Sequence, residues 1–168
     1  ASLGRRLDES GSRIRPSAAI EFLHAEVTPR ANELDANPEA LRAALQGLCD
    51  RGLMALKRPE SYGGPACSEQ DFRAFQEEVA RASGALAFLQ TQHQSAVGLI
   101  AKGQNEQLKR EMLPNMHGNK ELTGIAFSQL RRSGPPITRA TKVYDGYIIN
   151  GSLPWATGHT FFRHVLLG

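Results

Sequence analysis

The periodicity of the apolar residues changes near residue 120, and that switch constrains the fold more than any other feature of the chain. Before it, apolar side chains recur at steps of three and four, the spacing that lines one face of an α-helix. After it come short runs rich in β-branched and aromatic residues. Helices first and strands afterwards define an α+β chain with segregated elements rather than alternating βαβ units. The expectation is a basic, flexible arm over residues 1–16, an all-helical domain over residues 17–119, and the first strands of an antiparallel β domain over residues 120–168.

The helical part is well punctuated. Ile20, Leu23, Val27 and Leu34 carry a first helix from Ala18 to about Asp35, bent or broken at Pro29. Asn37 caps a second, with Pro38 in its first position, a stripe of Leu41, Ala44, Leu45 and Leu48, and Gly52 as its stop. Residues 53–67 form a turn-rich connector. Ser68, with Asp71 three residues on, caps a third helix whose apolar face carries Phe72, Phe75, Val79 and Ala82. Beyond Gly84 a fourth helix runs to about Lys102 with Leu86, Leu89, His93, Val97 and Ile100, and a short fifth fits Asn105 to Met112.

Four strand-like runs follow: LTGIAFS, ITRATKVY, YIING and HVLL. The Asp145-Gly146 pair between the second and third predicts a tight hairpin, because a two-residue turn of this kind favours positive φ. About 48 residues remain beyond the switch. An antiparallel sheet that small leaves its edges and one apolar face uncovered, so the β domain is expected to be incomplete within this sequence.

Composition narrows the function classes. The 168 residues are 40% hydrophobic and 22% charged, as in globular domains, and no run approaches the roughly 20 apolar residues of a bilayer-spanning helix. The net charge of +3 is scattered instead of gathered into a basic stripe with aromatics, which argues against a nucleic-acid partner. Two cysteines, Cys49 and Cys67, make no disulfide framework, and a reducing, cytoplasmic setting is the expectation. The five histidines have no metal-ligand spacing, so no metal site is expected.

No nucleophile elbow, P-loop, zinc-protease signature or dinucleotide-binding glycine fingerprint is present, so any cofactor must be held by strand edges and loops. His93, in the polar run Gln90-Thr91-Gln92-His93-Gln94, reads either as a core histidine satisfied by a carbonyl or as a pocket-lining group. Trp155 reads either as a core anchor or as a ring beside a planar cofactor. Thr157, two residues on, is expected on the same strand face, and Ser128 at the end of its strand offers a hydroxyl to the following loop.

Three further runs stand out: Gly52-Leu53-Met54-Ala55-Leu56-Lys57-Arg58-Pro59-Glu60-Ser61-Tyr62-Gly63-Gly64, then Glu106 to Pro114, then Tyr147-Ile148-Ile149-Asn150-Gly151 with Leu153-Pro154-Trp155-Ala156-Thr157-Gly158. Together they resemble the acyl-CoA dehydrogenase family of flavin enzymes, whose matching runs read GLxxLxxPExYGG, EExKxxYLP and YxxNGxKxWITN.

The resemblance implies a helical domain, a middle β domain, and a C-terminal helical bundle that is absent here. It also implies FAD, an acyl-CoA or related substrate, a homodimer or homotetramer for the full-length protein, and α,β-desaturation of an acyl thioester. By position, Phe127 and Ser128 would meet the flavin ring, Ser133 and Gly134 its pyrophosphate, and Trp155, Ala156 and Thr157 the ring edge. Leu86, Ala87, Gln90 and Gln94 would line the acyl pocket, whose glutamines suit a short, polar or non-standard substrate. Ser128-Gln129-Leu130 replaces the family's Thr-Glu-Pro, Arg131 and Arg132 add charge that can pair with a pyrophosphate, and Pro135 removes a backbone donor. The family's carboxylate base belongs to the missing bundle, so no catalytic residue is assigned within this chain. Two rival expectations stand beside this one: a flavin oxidase or monooxygenase of the same fold, and a non-catalytic truncated interaction module.

Overall fold

The first helical run is not one helix. In the computed structural model, which describes residues 16–118 and 121–168, α1 (Pro16–Phe22) passes into a π turn (Leu23–Val27) and a 3-10 turn (Thr28–Arg30) before α2 (Ala31–Ala36) resumes. Pro29 explains the change, because its nitrogen cannot donate and its ring would collide with the carbonyl four residues back. Widening the backbone brings the Thr28 N–H to the Leu23 carbonyl, and the Thr28 hydroxyl donates to the same oxygen at 3.0 Å. Apart from Pro16, the expected basic arm over residues 1–16 lies outside the described residues.

Each later helix starts on a side-chain cap: Asn37 and Ser68 as expected, and Ser83 and Asn105 in addition. The Asn37 side chain accepts from the Glu39 and Ala40 N–H groups at 3.0 and 3.4 Å ahead of α3 (Pro38–Asp50). Ser68 accepts from Asp71 at 3.1 Å ahead of α4 (Glu69–Ala82), and Ser83 from Leu86 at 3.2 Å ahead of α5 (Gly84–Lys102). Asn105 accepts from Leu108 at 3.0 Å ahead of α6 (Glu106–Met112). Such caps contribute about 1 kcal/mol each. Gly52 follows α3 in the left-handed region, at φ 69°, and lets the chain turn at once into the connector.

The four strand-like runs all form strands: β1 (Thr123–Ala126), β2 (Thr138–Val143), β3 (Gly146–Gly151) and β4 (His164–Leu167). β2 and β3 make the expected antiparallel hairpin, in a register running from Thr138 opposite Gly151 to Val143 opposite Gly146. That register makes Tyr144 and Asp145 the two turn residues, one position earlier than the Asp145-Gly146 pair suggested. β1 and β4 depart from the expected antiparallel sheet, since they pair in parallel from Thr123 opposite His164 to Ala126 opposite Leu167. The long intervening segment, which contains the hairpin, supplies the crossover that a parallel pair requires.

α5 runs through the centre. Its first half closes one apolar cluster with α1 to α4 around Leu23, Leu48, Met54 and Leu86. Its second half closes another, in which Ala96, Val97 and Ile100 meet Leu113 and Met116. His93 sits fully buried between the two. Its Nδ1 accepts from the Thr123 N–H at 3.0 Å, and its Nε2 lies 3.3 Å from the Met116 carbonyl, so a neutral ring protonated on Nε2 satisfies both. Of the two readings of this residue, the core histidine is the one that the structure bears out.

Burial pushes the His93 imidazole down to about 4 from its ordinary 6.5. Between those values the unfolded chain binds a proton that the folded chain refuses, so stability is full above pH 6.5 and is lost as pH falls toward 4, by about 3 kcal/mol. Urea unfolding should show this slope, and His93→Gln should abolish it while lowering stability by about 1–3 kcal/mol. An unchanged slope in the variant would contradict the assignment.

Candidate functional site

β1 ends at Ala126, and the chain turns through Phe127 into a 3-10 turn at Ser128–Arg131, so Ser128 opens a turn instead of closing a strand. Its hydroxyl donates to the Trp155 carbonyl at 3.4 Å. Trp155 Nε1 donates to Thr157 Oγ1 at 3.1 Å, and the Thr157 N–H donates to the Ile125 carbonyl at 3.3 Å. Residues 155–157 lie in a loop, which removes the strand face that Trp155 and Thr157 were expected to share. The indole-to-hydroxyl hydrogen bond joins them instead, with Thr157 buried and Ala156 half-buried between.

Close approach of the backbone fixes this loop against β1. A Cβ on Gly124 would stand 2.1 Å from the Thr157 carbonyl oxygen and 3.0 Å from the Phe162 ring. Only glycine lets β1 pass beneath the loop. Arg42 of α3 ties down the following turn by donating to the Thr160 carbonyl at 3.0 Å, with its guanidinium 4.8 Å from the centre of the Phe161 ring.

Trp155 is not a core anchor. It is 60% exposed, and its ring meets Phe88 of α5 edge to face, with centroids 6.5 Å apart and planes at 72°. Phe88 is itself 48% exposed. Two aromatic rings held open to solvent at a steep angle to each other, one of them pinned by a hydrogen bond, offer an angled apolar platform rather than a piece of core. Ser133 and Gly134 lie in the exposed loop beyond Ser128, with Gly134 at φ 99°, and among the described residues no hydrogen bond joins them to the Ser128, Trp155 and Thr157 group. Arg131 and Arg132 are exposed on the same loop.

On α5, Leu86 is sealed in the first apolar cluster and Ala87 is half-buried beside Phe88. Gln94 is buried and bonded within the chain: its amide donates to the Leu53 carbonyl at 2.7 Å and accepts from the Lys57 N–H at 3.1 Å. Gln90 forms a reciprocal amide pair with Gln76 of α4, at 3.1 and 2.5 Å. Arg58 of the connector donates to the Pro114 carbonyl at 2.7 Å and to the Gly63 carbonyl at 2.6 Å, so the runs 52–64 and 106–114 meet in space.

Sequence reasoning missed Phe88, Gly124 and Gln76. Phe88 carried a usable signal, since it is an aromatic residue off the buried stripe of its helix. Gly124 and Gln76 carried none, because each matters only through a partner far away in the chain. Among the described residues no group of three or more His, Cys, Asp or Glu side chains is placed to hold a metal ion, and no helix is long and apolar enough to cross a membrane.

A helical domain folded around one long helix, with a parallel strand pair whose loops set an open aromatic platform beside that helix, defines an α+β class of protein. Within that class, residues 13–120 match the family model described as acyl-CoA dehydrogenase, N-terminal domain, and the chain belongs to the acyl-CoA dehydrogenase family. It is 28% identical over 153 residues to 3-(aryl)acrylate reductase of Clostridium sporogenes, covering 89% of this chain and 41% of the relative. It is 27% identical over 157 residues to the mitochondrial isovaleryl-CoA dehydrogenase of Pongo abelii, covering 90% and 37%. Its fold matches a crystal structure of an acyl-CoA dehydrogenase complexed with FAD from Bacillus anthracis, at a TM-score of 0.74 and 24% identity, over 90% of this chain and 28% of that one. The chain therefore spans about two fifths of the length of the relatives it matches.

The Gly124 contact gives a direct test. Gly124→Ala should destabilise the chain by about 1–3 kcal/mol, as overpacking does, and should shift the emission of Trp155, the single tryptophan. Unchanged stability with unchanged emission would show that the loop is not held as described.

Proposed function

We propose that this chain is the front part of a flavin-dependent acyl-CoA dehydrogenase-like oxidoreductase. The observation that carries the reading is the contact between Phe88 and Trp155, which places the residues expected to meet a cofactor against the helix expected to meet an acyl chain. The donor set suits FAD: an exposed indole for ring contact, the Ser128 and Thr157 hydroxyls beside it, and an exposed loop of Ser133 and Gly134 flanked by two arginines. When bound, FAD supplies the hydride acceptor for α,β-desaturation of an acyl thioester.

The chain's own part is positioning. Phe127, Ser128, Trp155, Ala156 and Thr157 form the ring-binding surface, and Ser133 and Gly134 receive the pyrophosphate, with Arg131 and Arg132 offsetting its charge. Leu86, Ala87, Gln90 and Gln94 build the α5 wall of the acyl site. Leu86, Gln90 and Gln94 act from behind that wall, since all three are sealed in the interior. The carboxylate that removes the α-proton comes from outside residues 1–168. The full-length protein is a cytoplasmic homodimer or homotetramer in this reading.

In the full-length protein, Trp155→Ala and Thr157→Ala should each lower bound flavin and reduce turnover by about tenfold or more, the scale of one lost hydrogen bond or ring contact. Full flavin content with unchanged turnover in both variants would overturn the assignment. A hydroxylated product in place of an enoyl thioester would overturn the desaturation chemistry while leaving the flavin site intact.

A further inference from the structure

The seam between α4 and α5 holds a polar network of which the reading above uses only Gln90. Gln90 is fully buried, whereas Gln76 and Thr91 are half-buried, so the network runs from the sealed interior to an open face. Gln76 Nε2 donates to Gln90 Oε1 at 3.1 Å, and Gln90 Nε2 donates to Gln76 Oε1 at 2.5 Å and lies 2.9 Å from Thr91 Oγ1. The Thr91 hydroxyl donates to Gln76 Oε1 at 2.6 Å. A buried amide pair gains little over an apolar pair of the same shape, so stability alone does not call for it in a seam otherwise lined by Phe75, Val79 and Leu86.

Its spare capacity lies at the open end. An amide NH₂ has two hydrogens, and only one of those on Gln76 has a partner among the described residues. The paired hydrogen bonds fix the plane of the Gln76 amide and so the direction of the free N–H. Thr91 follows Phe88 by three residues on α5, which puts this end of the network one turn along the helix from the ring that meets Trp155.

We infer that Gln76, held by Gln90 and Thr91, is a specificity-determining residue that selects an acyl group carrying a hydrogen-bond-accepting oxygen over a plain hydrocarbon chain. This rests on the acyl-CoA reading given under the proposed function. A purely apolar pocket favours the hydrocarbon of any isosteric pair, because the ether oxygen must lose its water. A site with a fixed, unpaired donor reverses that order.

The test uses the FAD-loaded full-length protein and two isosteric pairs, 4-methoxybutanoyl-CoA with hexanoyl-CoA and 5-methoxypentanoyl-CoA with heptanoyl-CoA. Dissociation constants are read from the perturbation of the flavin spectrum. At least one ether should bind about tenfold more tightly than its hydrocarbon partner. Gln76→Leu should reverse that preference with flavin content unchanged, and Thr91→Val, which removes one of the two hydrogen bonds to Gln76 Oε1, should weaken it. Tighter binding of the hydrocarbon in both pairs, or a preference that survives both substitutions, overturns the inference and leaves the acyl-CoA reading standing. A spectrum that responds to none of the four thioesters overturns that reading, and the inference with it.

Discussion

A neutral imidazole sealed from water joins three parts of this chain that are far apart in sequence. His93 projects from the middle of α5, accepts from the first residue of β1 and donates to the Met116 carbonyl at the end of the helical domain. Both ring nitrogens are used, so rotation of the ring or entry of a proton leaves a buried backbone group without a partner. The buried Gln94 amide makes the same kind of tie to the connector, one residue further along the helix. Side-chain hydrogen bonds of α5, as well as its apolar faces, therefore set where β1 begins. Everything in the candidate site is then built outward from β1.

That dependence runs through short steps. Gly124 allows β1 to pass close to the loop that follows the hairpin, the Ile125 carbonyl holds Thr157, Thr157 holds the Trp155 indole, and Ser128 holds the Trp155 backbone. The indole is left open to solvent against Phe88, which returns the chain of contacts to α5. The helix that anchors β1 thus also forms one wall of the site. A change inside α5 acts on the aromatic platform by two routes, through His93 and through Phe88.

Much of the fold was legible in the sequence because local chemistry decides it. Asn37 and Ser68 each place a side-chain oxygen where a helix start has free N–H groups, and Pro29 forces the change of helix type. The strand runs were legible from their composition, but the parallel pairing of β1 with β4 was not, since pairing direction depends on the path of the whole intervening segment. Trp155 and Thr157 were rightly linked for the wrong geometric reason: a loop and a hydrogen bond do what a strand face was expected to do. Gln90 and Gln94 stood out as polar residues on an apolar helix, yet nothing in the sequence told that Gln94 is spent on the connector while Gln90 pairs with Gln76. Those partners lie 41 and 14 residues away.

The central claim is that this chain belongs to a flavoprotein whose flavin meets an acyl thioester beside Trp155. The direct measurement is the visible flavin spectrum of the full-length wild-type protein, recorded without oxygen before and after an acyl-CoA is added. The account predicts a flavin band as purified that bleaches on addition, with the matching enoyl thioester formed in equal amount. A protein that holds no flavin, or a band that stays unchanged with every acyl-CoA supplied, would contradict it.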